Sequence, residues 1–321
     1  MSTEARERSS TSPAPRGRDA PAAMSQRARD EQRLGWKLAM PAFVIMLLVT
    51  AYPILQAVWN SFFSYRLTDP DNREFVGLQN YVVSLSDPVF WSAMRMTVLV
   101  TVFTVAVELV LGFVIALVMH RIVIPRRTLR TIVLIPYSII TVVSGFTWLY
   151  SFQTDTGFVN RWLQWLPGID PSYDWFGNFW GSFFVISLSE IWKTTPFISL
   201  LLLAGLAQVD TSMEEAAKVD GATATQRLFK VTLPNMKGAI LVALLFRALD
   251  AFRIFDTVYV QTAGALNTQT ISGLGYNALI TRVNLGLGSA ISILLFLLII
   301  FIAFVFVKGF KTNLGTVKGA G

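Results

Sequence analysis

The apolar residues of this 321-residue chain fall into long uninterrupted runs and do not alternate with polar ones. A helix needs about 20 apolar residues to cross the hydrocarbon core of a bilayer, and only a helix or a closed barrel satisfies its backbone hydrogen bonds there. Six runs reach that length, at about 38–62, 96–119, 131–152, 184–207, 238–258 and 287–308. The fourth and fifth also carry charges. Pro53, Pro136 and Pro196 should kink the first, third and fourth, because proline removes a backbone donor and crowds the preceding turn. Only 15% of the residues are charged, against about a quarter in soluble domains. The expected fold class is an all-α membrane protein with six transmembrane helices.

Lys and Arg set the expected orientation. On one side of the runs lie 19 of them, in residues 1–37, 121–130, 208–237 and beyond 307; the opposite loops hold five. Basic loops stay in the cytoplasm, so both termini are expected there, in a multi-pass protein of the cell membrane. The net charge of +7 is explained by lipid headgroups and topology, and nucleic acid is not expected as a partner. Residues 1–35, rich in Arg, Ser, Pro and Ala, read as a disordered cytoplasmic tail ahead of a six-span domain over 36–321. With no Cys and one His (His120), neither a disulfide framework nor a metal site is expected.

Between the fourth and fifth runs the chain turns polar, "EEAAKVDGATATQRLFKVTLPN" over 214–235. Thr211 and Ser212 each precede a Glu by three residues (Glu214, Glu215), and either pair can form a capping box. Met213, Ala216 and Ala217 share a face of the helix so started. Asp220 and Gly221 break it, since Gly takes the positive φ of a sharp turn. A second box, Thr223 with Gln226, starts another helix, which Pro234 should end while restricting Leu233. From the residues alone three readings stand: a membrane-surface helix, which the acidic residues oppose; a plain connection, which two caps and a glycine elbow exceed; and a protein-docking element.

The stretch resembles the EAA loop of binding-protein-dependent ABC importer permeases. Glu215-Ala216-Ala217, Gly221 four residues later, then Val231, Leu233 and Pro234 occupy that pattern, and Asp220-Gly221-Ala222 matches the carbohydrate branch. The family often has Pro shortly after Leu-Pro, where this chain has Gly238. "AYPILQAVWNSF" (51–62), "GLQNY" (77–81), "EIWKTTPF" (190–197) and "LDAFRIFD" (249–256) extend the resemblance over most of 36–310. It is nearest to actinobacterial permeases for trehalose and related α-glucosides. The resemblance implies a type I importer permease fold, with residues 210–237 as a cytoplasmic coupling helix carrying Glu214, Glu215, Ala216, Ala217, Asp220, Gly221, Leu233 and Pro234. It implies as partners a second permease subunit, two copies of a cytoplasmic ABC ATPase and an extracytoplasmic solute-binding protein docked on the loops at 63–95, 153–183 and 259–286.

Two charged groups fall inside the runs: Glu190 with Lys193, and Arg247, Asp250, Arg253 and Asp256. Charge near the bilayer centre costs about 2.5–3.5 kcal/mol on insertion scales, so these side chains face protein or water. At 1.5 Å per residue Arg253 lies about 24 Å along a helix from Lys237, and Glu190 about 27 Å from Gln208, a similar depth. Steps of three make an ion-pair ladder from Arg247 through Asp250 and Arg253 to Asp256. The same residues, with Thr194, Trp192 and Phe252 (and Phe197 and Phe255 nearby), could wall a sugar path. Glu108, alone in the second run, reads as a buried hydrogen-bonding group.

No G-x-x-x-x-G-K-[ST] phosphate loop occurs and no catalytic constellation stands out, so the chain is not expected to be an enzyme. ATP and Mg are expected on the partner ATPase and no cofactor on this chain. The reading is a permease subunit of a heteromeric ATP-driven importer for a sugar, such as trehalose or maltose. Its alternatives are an ion-coupled secondary transporter and an ABC permease for a non-sugar solute such as glycerol phosphate.

Overall fold

The computed structural model describes residues 26–121 and 126–309, which form parts of two compact units, 1–55 and 56–321. The first unit is, from Gln26 on, the greater part of helix α1 (Gln26–Ser61). Leu38, Ile45, Leu48, Val49, Tyr52 and Leu55 are exposed on all its sides, the signature of a helix whose solvent is lipid. Of the tail expected to be disordered, residues 1–25 lie outside the described residues, but 26–35 are helical. Gln26, Arg27, Ala28, Arg29, Glu31, Gln32 and Arg33 are good helix formers, so the helix propagates back from the apolar run.

In the second unit α1 ends against a hairpin, β1 (Phe63–Arg66) with β2 (Asp69–Phe75), an addition to the expected all-helical fold. Phe63 sits opposite Phe75, and the Arg73 guanidinium lies 4.3 Å from the Phe63 ring centroid. The helices that follow are α2 (Gln79–Ser86), α3 (Pro88–Arg121), α4 (Arg126–Ser138), α5 (Thr141–Phe152), α6 (Val159–Leu163) and α7 (Phe179–Leu206). Then come α8 (Thr211–Val219), α9 (Ala224–Arg227), α10 (Leu233–Asn235), α11 (Lys237–Ala251), α12 (Asp256–Thr262), α13 (Ile271–Tyr276) and α14 (Leu285–Gly309). Turns of π-helix occupy Leu228–Thr232 and Asn277–Thr281.

Among the described residues four helices, α1, α3, α7 and α14, are long and apolar enough to cross a membrane. Counting two bent pairs as one span each makes six. The third expected span is the pair α4–α5, bent by 80° just after Pro136; α7 continues through Pro196 as one helix. The fifth does not run to residue 258. Helix α11 stops at Ala251, the chain turns through 252–255, and α12 starts afresh. Uniform hydropathy conceals this break, which is held from outside the run: Thr270 Oγ1 donates to the Ile254 carbonyl at 2.9 Å.

Helices α3 and α7 form the centre. Ala116 and Met119 pack on Ile198, Leu202 and Leu206, with Met236 and Ala243 closing the cluster. In lipid, close packing drives helix association more than apolar burial does. Gly112 illustrates it, because a Cβ there would stand 2.9 Å from Ile198 Cγ2. The segment expected as an outer loop over 259–286 is partly interior. Gln261 Nε2 donates to Ser189 Oγ of α7 at 3.0 Å, and the Ile271 N–H donates to Thr97 Oγ1 of α3 at 3.0 Å. Satisfying buried polar atoms on two helices, this segment packs as part of the bundle.

Candidate functional site: a charged cavity and a capped elbow

Helices α4, α5, α7, α11 and α12 converge on a cavity of about 540 Å³. Seven of the nine residues expected on a path line it: Glu190, Lys193, Thr194, Arg247, Asp250, Arg253 and Asp256. Trp192 and Phe252 do not. Trp192 turns to the Trp148 ring, 5.9 Å away, because two residues from Glu190 and one from Lys193 it falls on another face of α7; Phe252 is buried in the turn after α11. Sequence reading missed Tyr137, Thr141 and Thr257 as lining residues. The Tyr137 ring stacks on Phe197 at 5.3 Å and lies under Lys193 Nζ at 5.6 Å, a cation–π contact. No spacing rule links Tyr137 to α7; the bend between α4 and α5 brings it there.

The cavity wall rests on one buried cation. Arg247 Nε donates to Glu108 Oε2 at 2.6 Å and Nη2 to Glu108 Oε1 at 2.9 Å, a bidentate pair with both side chains buried. Thr194 Oγ1 donates to the same Glu108 oxygen at 2.6 Å. Nη1 of Arg247 donates to Asp250 Oδ2 at 3.0 Å, and Nη2 lies 3.5 Å from Glu190 Oε2. Thr257, beyond the break, donates to Glu190 Oε1. The ladder expected along the fifth span is thus corrected. Its Arg247–Asp250 step is present and its Asp250–Arg253 step is loose, at 3.8 Å, but Asp256 has no cation partner among the described residues, since it belongs to α12. Nor does Glu190 pair with Lys193. Its partners are Arg247 and Thr257. Glu108 is more than an isolated hydrogen-bonding group: it is the main counter-ion of Arg247.

Around the cavity three acidic side chains, Glu190, Asp250 and Asp256, face three basic ones, Lys193, Arg247 and Arg253, with Glu108 standing behind Arg247. An arginine whose N–H groups are largely spoken for is a poor receptor for an anion. Such a wall offers hydrogen bonds to a neutral, hydroxyl-rich solute.

The second element is the elbow between α7 and α11. Helix α8 is capped by Asp210, whose side chain accepts from the Ser212 N–H, not by Thr211 or Ser212 as the box pattern suggested. A short carboxylate side chain one position earlier reaches the free donors first. The backbone and side-chain hydrogen bonds from Ser212 hold the Asp210 carboxyl below its usual pKa. The far end is closed by a Schellman motif: Ala222 N–H donates to Ala217 O at 3.0 Å and Gly221 N–H to Lys218 O at 3.2 Å, with Gly221 at φ 78°. The Thr223–Gln226 capping box is complete. Arg227 ties the two arms, donating to Ala222 O at 2.8 Å.

Pro234 does not end the second arm, which stays helical to Asn235. The π turn before it shifts the register, so that Leu233 N–H bonds Leu228 O five residues back, and the missing donor of Pro234 is absorbed. Of the expected coupling residues, Glu215, Ala216, Asp220, Gly221 and Pro234 are exposed, while Glu214, Ala217 and Leu233 are half-buried. Val219 (87% exposed) and Phe229 (62%) stand out of the elbow as apolar knobs. Sequence reading did not single out either as a knob, although a hydrophobic residue just before Asp-Gly was the available signal.

Residues 108–314 match the family described as binding-protein-dependent transport system inner membrane component. The trehalose transport system permease protein SugA of Mycobacterium tuberculosis (strain ATCC 25618 / H37Rv) is 47% identical over 284 residues, covering 87% of this chain and 89% of SugA. The trehalose/maltose transport system permease protein MalF of Thermococcus litoralis is 37% identical over 280 residues, covering 87% of this chain and 94% of MalF. A crystal structure of a bacterial ABC transporter that imports the acidic polysaccharide alginate superposes with a TM-score of 0.76 at 20% identity, over 89% of this chain and 99% of that one. At that identity the likeness speaks for the fold alone. With its bundle, its broken spans and its capped elbow, this chain belongs to the inner membrane components of binding-protein-dependent transport systems.

Proposed function

We infer that this chain is one permease subunit of a heteromeric, ATP-driven importer for a neutral disaccharide of the trehalose and maltose kind. The observation that carries the reading is the cavity lined by interleaved acidic, basic and hydroxyl side chains, taken with the names of the relatives 47% and 37% identical to the chain. The elbow supplies the coupling. Its exposed knobs and rigid turn suit the cleft of a cytoplasmic ATPase, and it joins α7 directly to α11, both of which line the cavity. ATP and Mg belong on that ATPase. An extracytoplasmic solute-binding protein delivers the sugar, and a second permease completes the pathway. The excess of Lys and Arg on the elbow's side of the spans supports a cytoplasmic elbow and cytoplasmic termini. Closure of the ATPase dimer then moves the elbow, and α7 and α11 exchange inward for outward access.

Gentle purification of the tagged chain from its native membrane tests this. Mass spectrometry should find an ATPase, a second permease and a solute-binding protein, and that binding protein should bind trehalose or maltose on titration. A chain isolated alone, in a detergent that preserves a known complex of this kind, overturns the reading.

A further inference from the structure

A second cavity, of about 220 Å³, opens beside the first and shares Phe255 with it. Three rings form one side. Phe255 and Tyr276 lie 4.8 Å apart, Tyr259 and Tyr276 5.3 Å, and Phe255 and Tyr259 5.2 Å. Gln269, Asn277 and Thr281 also line it, and the side-chain amides of the first two are half-exposed, with no protein hydrogen-bond partner among the described residues. An aromatic wall with a few free amides beside it is the composition of a small-molecule site. It suits a pyranose, which presents an apolar face of C–H bonds and an equatorial belt of hydroxyls; each amide both donates and accepts.

The backbone around this cavity is held in uncommon conformations, and other contacts secure it there. Ala263 and Gly264 on its wall have φ of 51° and 81°. Their loop is clasped by Thr262 Oγ1 on Thr268 Oγ1 at 2.7 Å and by Thr270 Oγ1 on Ile254 O. Asn277 and Thr281 begin and end a turn of π-helix, closed by Arg282 N–H on Asn277 O at 2.9 Å. Left-handed non-glycine residues and π turns each cost stability and collect at functional sites. Here both flank one cavity, and the break at 252–255 is what lets Phe255 serve two cavities at once.

We propose that this cavity is a second saccharide subsite, binding one pyranose ring against Phe255, Tyr259 and Tyr276 while Asn277 and Gln269 hold its hydroxyls. It rests on the reading of the chain as a saccharide permease. The charged cavity takes one ring of the solute, and the aromatic cavity takes its second ring.

The chain has no cysteine, which permits a direct test in the assembled transporter. Thr281→Cys, which leaves the rings and both amides in place, reports the aromatic cavity and Thr141→Cys the charged one, each read as the rate of labelling by a small thiol reagent with the complex trapped open to the outside. Trehalose or maltose at about ten times its Kd should slow both reactions about tenfold. Adding Tyr276→Ala should abolish protection at 281 and keep it at 141, whereas Tyr276→Phe, which retains the ring, should keep both. Protection at 141 without protection at 281 overturns the second subsite and leaves the import reading intact. No protection at either position overturns the import reading itself. A thiol at position 281 that is shielded equally with and without sugar assigns the cavity to a partner subunit or lipid and also overturns the proposal.

Discussion

At the scale of single residues, Glu108 and Arg247 decide most. Each is expensive alone: removing one partner of a buried ion pair typically costs about 3–5 kcal/mol, because the survivor is left unpaired. Glu108→Ala should therefore lower the heat stability of the purified complex sharply. Glu108→Gln, which keeps the volume and an acceptor, should lose much less, since Glu190 and Asp250 still stand beside Arg247. Scanning fluorimetry of the two variants reads this directly; equal stability of the alanine variant and the parent would show that Glu108 does not hold Arg247 in place. The partnership spans 139 positions in the chain, and so it was illegible in a pattern search. Steps of three along one helix found Asp250, the partner on the same element, and missed the stronger one on α3. The same limit left Glu190 without its partners Arg247 and Thr257, which lie on other elements. Periodicity describes the surface of one helix, and a buried carboxylate is satisfied by whichever helix packs on it.

At the scale of elements, the elbow was largely legible because its determinants are local. The Gly221 turn and the Thr223–Gln226 box need only neighbouring residues. The errors there were local competitions too, with Asp210 outranking Thr211 and a π turn accommodating Pro234. Gly221 has open space where a Cβ would stand, so a substitution there meets backbone strain only. Left-handed backbone costs a β-branched residue roughly 1–2 kcal/mol and Asn much less. Gly221→Val should reshape the elbow and cut sugar-stimulated ATP turnover and uptake together, while Gly221→Asn should keep most of both. Full activity in the valine variant would remove the elbow from the coupling mechanism.

At the scale of the whole molecule, hydropathy found the positions of the spans, charge asymmetry supplied an orientation and Pro136 signalled the bend of the third span, but none of them showed that the fifth stops short. That break is held by contacts with distant parts of the chain, such as Thr270 on Ile254. Orientation itself is open to a clean test in this cysteine-free chain. Asn72→Cys in β2 should react with a membrane-impermeant thiol reagent in intact cells, and Thr225→Cys in the elbow should react only after lysis. The reverse pattern would invert the topology and with it the docking side of the elbow.

Glu190 is held from both sides of a chain break, by the ion pair with Arg247 before it and the hydrogen bond from Thr257 after it. It acts as a pin through two plates, fastening α11 and α12 to the centre of α7 under the charged cavity. The rim is made differently, with Tyr137 and Thr141 on either side of the 80° bend between α4 and α5. The cavity is thus a pinned floor under a jointed rim.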